Sequence, residues 1–490
     1  MREILPIQLQ LGEVAISDIQ FNPRSREETH QFLKGLQYLF TNDEYKTRIF
    51  EILQKLTPED ISPDKGAPGM NHWKIYVLGM LRININCDYD KLLDLANYHA
   101  LLREMLGHGQ FDKNIYALQT IKDNIALLTP EILEELNLIV VEAGLNEERK
   151  SKKKIICRCD SFVFKTNVSY PTDIWLLYES MRKAIQVTKK YAEAFDLTGW
   201  RQYQFNVRTV KRDMRLIQKM KRSTSKIQAK QLKREEEIKS AYKSLITTSY
   251  KFIAKIQQTL KVPIATSLLS FAYSTSIQQY LDFAFHQIDL IQRRIFEGEK
   301  IPHKDKIHSI FQPHTEWINK GKAGVPVELG LRVCIIEHPS GYVLHYIVME
   351  NTTDSEIVVA MIKEVQKLYP WFKGCSFDKG FHSPTNQVEL GELLDDCILP
   401  KKGRCNKSEA QREGEKDFKT ARRKHSAVES GINALENHGL DKCLDHGLHG
   451  FKRYVAIAVV ARNVQKLGSV LIAKELAKIK KQENKLKKAA

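Results

Sequence analysis

Apolar residues in the first 150 positions recur at intervals of three and four, the spacing of a helix that buries one face. Two groups show this most clearly: Phe32, Leu33, Leu36, Leu39 and Phe40, then Ile49, Phe50, Leu53 and Leu56. Further helical stretches lie between residues 73 and 106, with a polar break at 84–86. The pattern predicts an all-α region over residues 1–150.

From residue 154 onward, strand-like runs of β-branched and aromatic residues alternate with helical stretches. The runs are 155–163, 307–311, 327–338, 342–349, 375–378 and 397–399. A long block that is nearly free of glycine and proline, residues 179–302, interrupts them and is predicted to be helical. We therefore predict an α/β domain formed by 151–178 and 303–470, an inserted helical domain at 179–302, and a lysine-rich tail at 471–490.

The charge of the chain is concentrated in this inserted block. The 490 residues carry a net charge of +17, and between Arg182 and Arg234 sixteen lysines and arginines face three acids, a local surplus of +13. Such a surplus indicates a polyanionic partner, either nucleic acid or an anionic membrane surface. A solvated, coiled-coil-like helix face is the alternative interpretation of the same charges.

The hydropathy pattern favours nucleic acid over a membrane. A spanning helix needs roughly 20 consecutive apolar residues, and the best segment, 454–473, is interrupted by Arg462, Asn463, Gln465 and Lys466. The first residues lack the apolar core of a signal peptide. The eight cysteines are scattered, and none forms a CxxC pair, which predicts reduced thiols in a cytoplasmic, nucleoid-associated protein.

Three acidic residues occupy distinctive positions in this pattern. Asp160 follows the apolar run at 155–159, Asp378 ends a second strand-like run, and Glu429 lies in a helical stretch after a basic cluster. Two strand-borne aspartates and one helix-borne glutamate can converge and hold a pair of divalent cations, the arrangement used in phosphodiester chemistry. Oxygen ligands of this kind suit two Mg²⁺ or Mn²⁺ ions rather than zinc.

The order of strands and helices around these acids is typical of a known domain type. After residue 154 it runs strand with Asp160, helical insertion, hairpin strands, helix, strand with Asp378, strand, and helix with Glu429. Without the insertion, this is the order of a ribonuclease-H-like domain, in which a mixed five-stranded sheet is flanked by helices. The predicted fold class is therefore α/β, with an all-α N-terminal region and a basic helical insertion.

Four short segments give the chain a family resemblance. They are Cys159-Asp160-Ser161 with 166–173 (TNVSYPTD), 320–330 (KGKAGVPVELG), 377–383 (FDKGFHS), and 428–432 with 438–443 (VESGI and HGLDKC). In this order they resemble the motifs of bacterial insertion-sequence transposases of the DDE superfamily, with the ISNCY group the most similar. The N-terminal helices resemble the DNA-binding segment of the same family more loosely.

The resemblance implies a function and a set of partners. It assigns Asp160, Asp378 and Glu429 as catalytic residues and metal ligands. It implies a transposase that nicks the terminal inverted repeats of its element and joins the 3′-hydroxyl ends to target DNA. Pairing of two element ends implies a homodimer or a higher oligomer on double-stranded DNA.

The chain departs from these relatives at two positions beside the glutamate. Relatives often carry Arg four residues before it and Lys seven residues after it, whereas this chain has His425 and Glu436. Glu436 lies about 10 Å from Glu429 along a helix that rises 1.5 Å per residue, so the two cannot share one metal pair. The motif favours Glu429, and Glu436 is the alternative third acid.

Further residues are predicted to contact DNA or to assist at the site. The basic candidates are Lys211, Arg212, Arg215, Lys219, Lys221, Arg222, Arg422, Arg423, Lys424 and His425. His382 is a candidate contact to the scissile phosphate or a packing residue. Trp200 is either a stacking partner for an extruded base or a buried core residue. Asp173 and Asp354 are predicted to be helix N-caps.

Two other functions fit the same residues. A nuclease of the same fold would cut DNA without joining it to a target. A DNA-binding protein descended from a transposase would keep the basic surface without using the acids. A ribonuclease is less favoured because no RNA-reading module is evident in the sequence.

Overall fold

A computed structural model describes residues 12–57, 69–148, 154–222, 227–264, 267–319 and 326–489. The chain forms two compact units, Met1–Asn167 with Glu316–Ala490, and Val168–Thr315. We call the first the sheet unit and the second the helical unit. Each has a hydrophobic core of its own.

The sheet unit is built on a mixed seven-stranded sheet. The strands are β1 (Cys157–Thr166), β2 (Glu316–Asn319), β3 (Val327–Glu337), β4 (Val343–Met349), β5 (Gly374–Phe377), β6 (Asp396–Ile398) and β7 (Lys442–Cys443). β3 pairs antiparallel with β1, β2 and β4, whereas β1 pairs parallel with β5 and β7, and β5 pairs parallel with β6. β1 therefore lies in the middle, with antiparallel strands on one side and parallel strands on the other.

Strand β1 has a sequence suited to this central position. Its burial pattern mixes buried Cys157, Cys159, Phe162 and Phe164 with partly exposed positions near Asp160. β-Branched and aromatic side chains pack well on a pleated surface that is covered on both faces. All eight cysteines are free, and six of them are buried.

Helices of the sheet unit surround the sheet. Before β1 they are α1 (Glu28–Thr41), α2 (Asp43–Gln54), α3 (His72–Asn84), α4 (Tyr89–Tyr98), α5 (Ala100–Met105), α6 (Leu118–Ile125) and α7 (Pro130–Glu147). Asn42, Asn71, Asp88 and Thr129 accept backbone N–H groups at the starts of α2, α3, α4 and α7, as N-caps do.

The described part of the helical unit contains four long helices. They are α8 (Asp173–Ala194), α9 (Tyr203–Lys221), α10 (Gln228–Leu260) and α11 (Leu268–Ile291). Their apolar faces meet around Tyr178, Ile217, Tyr242 and Leu281. The unit covers residues 168–315, so all of α8 belongs to it.

The remaining helices of the sheet unit follow β4. They are α12 (Asp354–Leu368), α13 (Pro384–Leu393), α14 (Lys407–Gly414), α15 (Lys416–His425), α16 (Ala427–Leu435) and α17 (Gly447–Ala489). The residues predicted as a lysine-rich tail continue α17 as one helix.

Helix α17 is the centre of the sheet unit's core. By length and composition it could cross a membrane, but 67% of its most apolar window is buried inside the protein. It packs against α1, α3 and α7, and Val455, Ile457, Val459 and Val464 are fully buried. These side chains are already in contact with protein and are not available to lipid.

Several expectations differ from the structure. The sheet has seven strands rather than five, because the short strands β2 and β7 extend the edges of β3 and β1. Residues 307–311 form bends rather than a strand. The helices before residue 149 share one hydrophobic core with the sheet, so the predicted helical region and the sheet belong to one compact unit.

Candidate active site on the central strands

Asp160 and Asp378 lie side by side on the sheet. β1 and β5 run parallel, with Cys157 opposite Cys375 and Cys159 opposite Phe377. Continuing this register by one residue places Asp160 beside Asp378, just past the end of β5. Neighbouring parallel strands are about 4.8 Å apart and their paired residues point to the same face. The two aspartates therefore share one face of the sheet.

The Asp160 carboxylate is held in an unfavourable environment for a negative charge. Its pKa is raised to about 6, mainly by burial and further by the charges of Asp378, Asp354 and Glu429. The backbone N–H of Ser161, which donates to Asp160 Oδ1 at 2.8 Å, acts in the opposite direction. The charges of two other acids predicted from the sequence, Asp378 and Glu429, therefore act on Asp160, and so does the charge of a fourth acid, Asp354.

The fourth acid, Asp354, is the site residue that the sequence prediction missed. It was expected to cap α12, but Thr353 is the N-cap, in a capping box with Glu356. Asp354 is thereby the first residue of the helix. Its Oδ1 is buried and has no hydrogen-bond partner among the residues that the structure describes, and its Oδ2 lies against Gly380, in the turn after Asp378.

Helix α16 brings Glu429 to this face of the sheet. Val428, Ile432 and Leu435 are buried on one side of the helix, as the helical spacing in the sequence predicts. Glu429 itself is exposed, as is Asp378, whereas Asp160 is partly buried. The site is therefore open to solvent at Asp378 and Glu429 and less accessible at Asp160. Glu436 lies on the next turn, after α16 ends.

A glycine sets how closely α16 approaches the sheet. A Cβ added at Gly431 would lie 2.3 Å from Oε1 of Glu337 on β3. Glu337 is buried and its Oε2 accepts a hydrogen bond from Arg158 at 2.9 Å. Because this ion pair fixes the Glu337 carboxylate, the helix can come this near only without a side chain at position 431.

If Glu429 is a catalytic residue, we expect Gly431→Ala to reduce activity much more than it reduces stability. The added methyl group must displace α16, and a displacement of about 1 Å at a catalytic group can cost about 10²-fold in rate. Activity and the unfolding midpoint would be measured together. Gly414→Ala is the matched control, because a Cβ there meets no atom within 4 Å. Full activity of Gly431→Ala would contradict the placement of Glu429.

His425 lies at the junction of α15 and α16 and faces the sheet. Its Nδ1 is 3.0 Å from the Ser376 hydroxyl, and burial lowers its pKa, with the charges of Asp378, Arg158 and Glu429 also acting on the ring. Unlike Arg422, Arg423 and Lys424, which are exposed, it is partly buried. Arg422 also pairs with Glu413 at 3.6 Å.

The carboxylate oxygens at this site are of the type that hard divalent cations prefer, although the side chains are not arranged as a preformed metal site. Among the described residues there is no group of three His, Cys, Asp or Glu side chains placed to hold a metal ion. Asp160, Asp378, Glu429 and Asp354 nevertheless supply carboxylate oxygens in one neighbourhood. The buried Asp354 Oδ1 and His425 Nε2 have no hydrogen-bond partner among the described residues.

The HGLDKC segment has a structural role. Gly439 adopts φ +99°, a conformation that favours glycine, and packs against Ile83 of α3. Lys442 and Cys443 then form β7, which pairs with Lys165 and Thr166 at the end of β1. The segment thus ties the glutamate-bearing helix to the strand that carries Asp160. Residues 320–325 of the KGKAGVPVELG segment lie outside the described residues.

The predicted basic surface of the helical unit forms a stripe along α9. Arg208, Arg212, Arg215, Lys219 and Arg222 are all exposed. They are spaced by four, three, four and three residues, so they lie on one side of the helix. Of the other predicted contacts, Lys221 touches the Tyr242 hydroxyl and Lys211 lies 6.0 Å from the centre of the Tyr178 ring.

The two accessory candidates are placed differently. Trp200 is 4% exposed, and its indole N–H donates to Thr259 Oγ1 at 2.9 Å. It is a core residue of the helical unit, so the stacking alternative for Trp200 is not supported by its position. His382 is partly exposed and follows the turn after Asp378.

Comparison with known proteins identifies no relative of this chain. No protein-family model matches it, and neither a curated protein nor a solved structure gives a significant match.

Proposed function

We propose that this protein is a DDE-type DNA transposase that cuts element ends and transfers the 3′-hydroxyl strand to target DNA. The observation that carries the proposal is that Asp160 and Asp378 share one face of the sheet and that the charge of Glu429 also acts on Asp160. The motif resemblance specifies the reaction. The three residues are more than 50 positions apart in sequence, so only the fold can bring them near one another. Their placement in the fold therefore supports the proposal.

The strand order supports a ribonuclease-H-like catalytic core. β4, β3 and β1 are successively antiparallel, and β1, β5 and β6 are successively parallel. In chain order these five strands are arranged 3-2-1-4-5, with the first acid on the central strand and the second at the end of its parallel neighbour. The helical unit enters between the first and second of these strands.

The chain's own residues would perform the chemistry as follows. Asp160, Asp378 and Glu429 would hold two Mg²⁺ or Mn²⁺ ions. Such ions, when bound, supply the activation of the attacking oxygen and the stabilisation of the leaving oxygen. Asp160, which is partly buried, would form the inner side of the site. The exposed Asp378 and Glu429 face the side from which a DNA strand can approach.

The stripe on α9 is the proposed contact with the DNA backbone. Its residues from Arg208 to Arg222 span about 21 Å at 1.5 Å per residue, a length that can follow several phosphates. Each phosphate neutralised by a bound lysine or arginine releases counterions, which makes binding depend on salt.

We expect Arg215→Gln with Lys219→Gln to weaken DNA binding and to flatten its salt dependence. Loss of two phosphate contacts should lower the slope of log K against log salt by about 2. Binding to a fixed duplex would be measured over a range of salt concentrations. Lys243→Gln with Lys251→Gln is the matched control, since both lysines are exposed on α10 and the net charge is the same. Equal slopes for the two variants would show that the salt dependence follows the net charge of the protein and not the position of the stripe residues.

The test of the proposed function is a reaction between the purified full-length protein, a duplex carrying the element's own end, and a plasmid target. Wild type would be compared with Asp160→Ala, Asp378→Ala and Glu429→Ala, with Mg²⁺ or Mn²⁺ and with DNA binding measured for each. Joined products from wild type alone, with binding retained by all four proteins, are the expected result. The number of protein copies on the joined complex would show whether a dimer or a larger assembly acts.

The alternatives give different products. Nicking without joining, under all conditions that permit binding, would favour the nuclease of the same fold. Binding without nicking or joining would leave the non-catalytic DNA-binding protein. Activity retained by Glu429→Ala would move the third acidic role to Glu436 or to Asp354.

A further inference from the structure

Helix α9 carries two exposed apolar residues in addition to its basic stripe. The side of α9 that packs into the core of the helical unit is formed by Val210, Met214 and Ile217, which are buried. Phe205 and Leu216 lie off that side and are 62% and 45% exposed. The core of the helical unit therefore does not account for either side chain.

The two apolar residues follow one edge of the stripe. Phe205 precedes Arg208 by three residues and Arg212 by seven. Leu216 follows Arg212 by four residues, and such spacings place side chains on the same side of a helix. The one acidic residue of α9, Asp213, is buried. The exposed side of α9 therefore has positive charges along its middle, apolar groups along one edge, and no negative charge of its own.

A surface cavity of about 550 Å³ lies at the Phe205 end of the stripe. It is lined by Arg201, Gln202, Tyr203, Gln204, Phe205 and Arg208. The Arg208 guanidinium donates a hydrogen bond to Gln204 Oε1 at 3.3 Å. The cavity thus combines aromatic rings, which can stack on a base, guanidinium groups, which can pair with phosphates, and amides, which can bond to a base edge.

This combination fits a DNA strand whose bases are unpaired. In a duplex the faces of the bases are stacked on one another, and most contacts with protein are made to phosphates and sugars. In a single strand the base faces are free, and each of them can stack on an aromatic side chain whatever its sequence. An apolar edge that runs beside a line of positive charges matches the bases and the phosphates of such a strand.

We propose that α9 binds single-stranded DNA, with one base stacked on Phe205 and the neighbouring phosphates on Arg201 and Arg208. The inference rests on the proposed function, because it specifies the form of DNA that the stripe contacts. The apolar edge from Phe205 to Leu216 is about 16 Å long at 1.5 Å per residue, which leaves room for more than one base. The stripe should therefore prefer unpaired DNA to a duplex of the same length.

The experiment measures DNA binding by the full-length protein in the presence of a chelator, so that no strand is cut. The probe is one oligonucleotide, used alone or annealed to its complement, and binding is measured over a range of salt concentrations. A copy of the strand that carries iodouracil is irradiated with the protein, and the cross-linked residue is identified by mass spectrometry. The variants are Phe205→Ala, Phe205→Trp and Arg208→Gln. Phe271→Ala is the matched control, because Phe271 lies on α11 and is 66% exposed.

Wild type should bind the single strand more tightly than the duplex and should cross-link through Phe205. Phe205→Ala should weaken single-strand binding about 5–100-fold, the effect of losing one stacked base, and should leave duplex binding nearly unchanged. Its slope of log K against log salt should equal that of wild type, whereas Arg208→Gln should lower the single-strand slope by about 0.7. Phe205→Trp and Phe271→Ala should bind as wild type does. The cross-link in wild type tests the inference even if a variant folds poorly.

Failure of this inference can be told apart from failure of the proposed function. Equal affinities for strand and duplex, or the same single-strand affinity in Phe205→Ala and wild type, would overturn the inference and leave the contact between the stripe and duplex DNA standing. A cross-link to another residue and not to Phe205 would also overturn it. If Phe205→Ala lost binding to anionic lipid vesicles but not to DNA, the ring would belong to a membrane contact and the inference would be wrong. If wild type bound neither form of DNA, the proposed function itself would fail.

Discussion

Replacing Asp160 with Asn should abolish strand cleavage and joining while making the metal-free protein more stable. The loss of activity follows if the carboxylate holds a cation that stabilises the transition state by several kcal/mol, which corresponds to about 10³-fold or more in rate. The gain in stability follows because burial and three nearby carboxylates disfavour the charge of Asp160, raising its pKa to about 6. Asn has nearly the same shape and carries no charge.

The gain should depend on pH in a defined direction. The carboxyl has a pKa of about 6 in the folded protein and an ordinary value of 3.8, so the folded state binds the proton more tightly. The free energy of unfolding of wild type should therefore decrease as pH rises from 3.8 to about 6. Above this interval the carboxyl is fully ionised, and the destabilisation reaches its full value. At pH 7 the variant should be more stable by about 1–3 kcal/mol, at 1.36 kcal/mol per pKa unit.

Denaturant unfolding in the presence of a chelator, at several values between pH 4 and pH 8, would measure this difference. Asp395→Asn is a suitable control because Asp395 is exposed. Added Mn²⁺ should reverse the order, stabilising wild type more than Asp160→Asn. If Asp160→Asn were less stable than wild type at pH 7 without metal, the carboxylate would be stabilised by its surroundings and the acids would not act on one another as described.

Gly468→Ala should be the most destabilising small substitution in the sheet unit. A Cβ at this position would lie 1.7 Å from the backbone oxygen of Gln31, and a Cβ at Gly35 would lie 2.3 Å from that of Val464. α1 and α17 thus cross with backbone against backbone. A backbone oxygen cannot rotate away, so the helices must separate, and we expect a loss of about 3–5 kcal/mol, above the usual cost of overpacking.

The free energy of unfolding would be measured for Gly468→Ala and for a control with the opposite expected sign. Gly391 lies inside α13, and a Cβ there meets no atom within 4 Å. Gly391→Ala should therefore stabilise the protein slightly, by up to about 1 kcal/mol, through the helix propensity of alanine. A loss below about 1 kcal/mol for Gly468→Ala would mean that the two helices do not approach this closely.

The sequence predicts those parts of the site that depend on local pattern. Asp160 and Asp378 were recognised because each follows a run of strand-forming residues, and Glu429 because an apolar stripe places it on a helix. Whether the carboxylates lie together is set by the parallel register of β1 and β5. That register depends on contacts between residues more than 200 positions apart, which no local pattern contains.

The features of the structure that the sequence does not predict also depend on contacts between distant residues or on very short elements. Asp354 follows Thr353 at a helix start, and either residue has the chemistry of an N-cap. The structure gives the cap to Thr353 and leaves Asp354 for the acidic site. The strands β2 and β7 are four and two residues long, too short for a period of two to appear. The shared core of the early helices and the sheet arises from α17, far along the chain.

The place of α17 also has a consequence for the order in which the protein folds during synthesis. Its partners α1, α3 and α7 are made long before it, so their apolar faces stay uncovered until residues 447–489 have left the ribosome. The helical unit is one continuous segment and can fold earlier from contacts within itself. We therefore expect the nascent chain to carry a folded basic domain and an open sheet unit, and to need chaperone protection until α17 emerges.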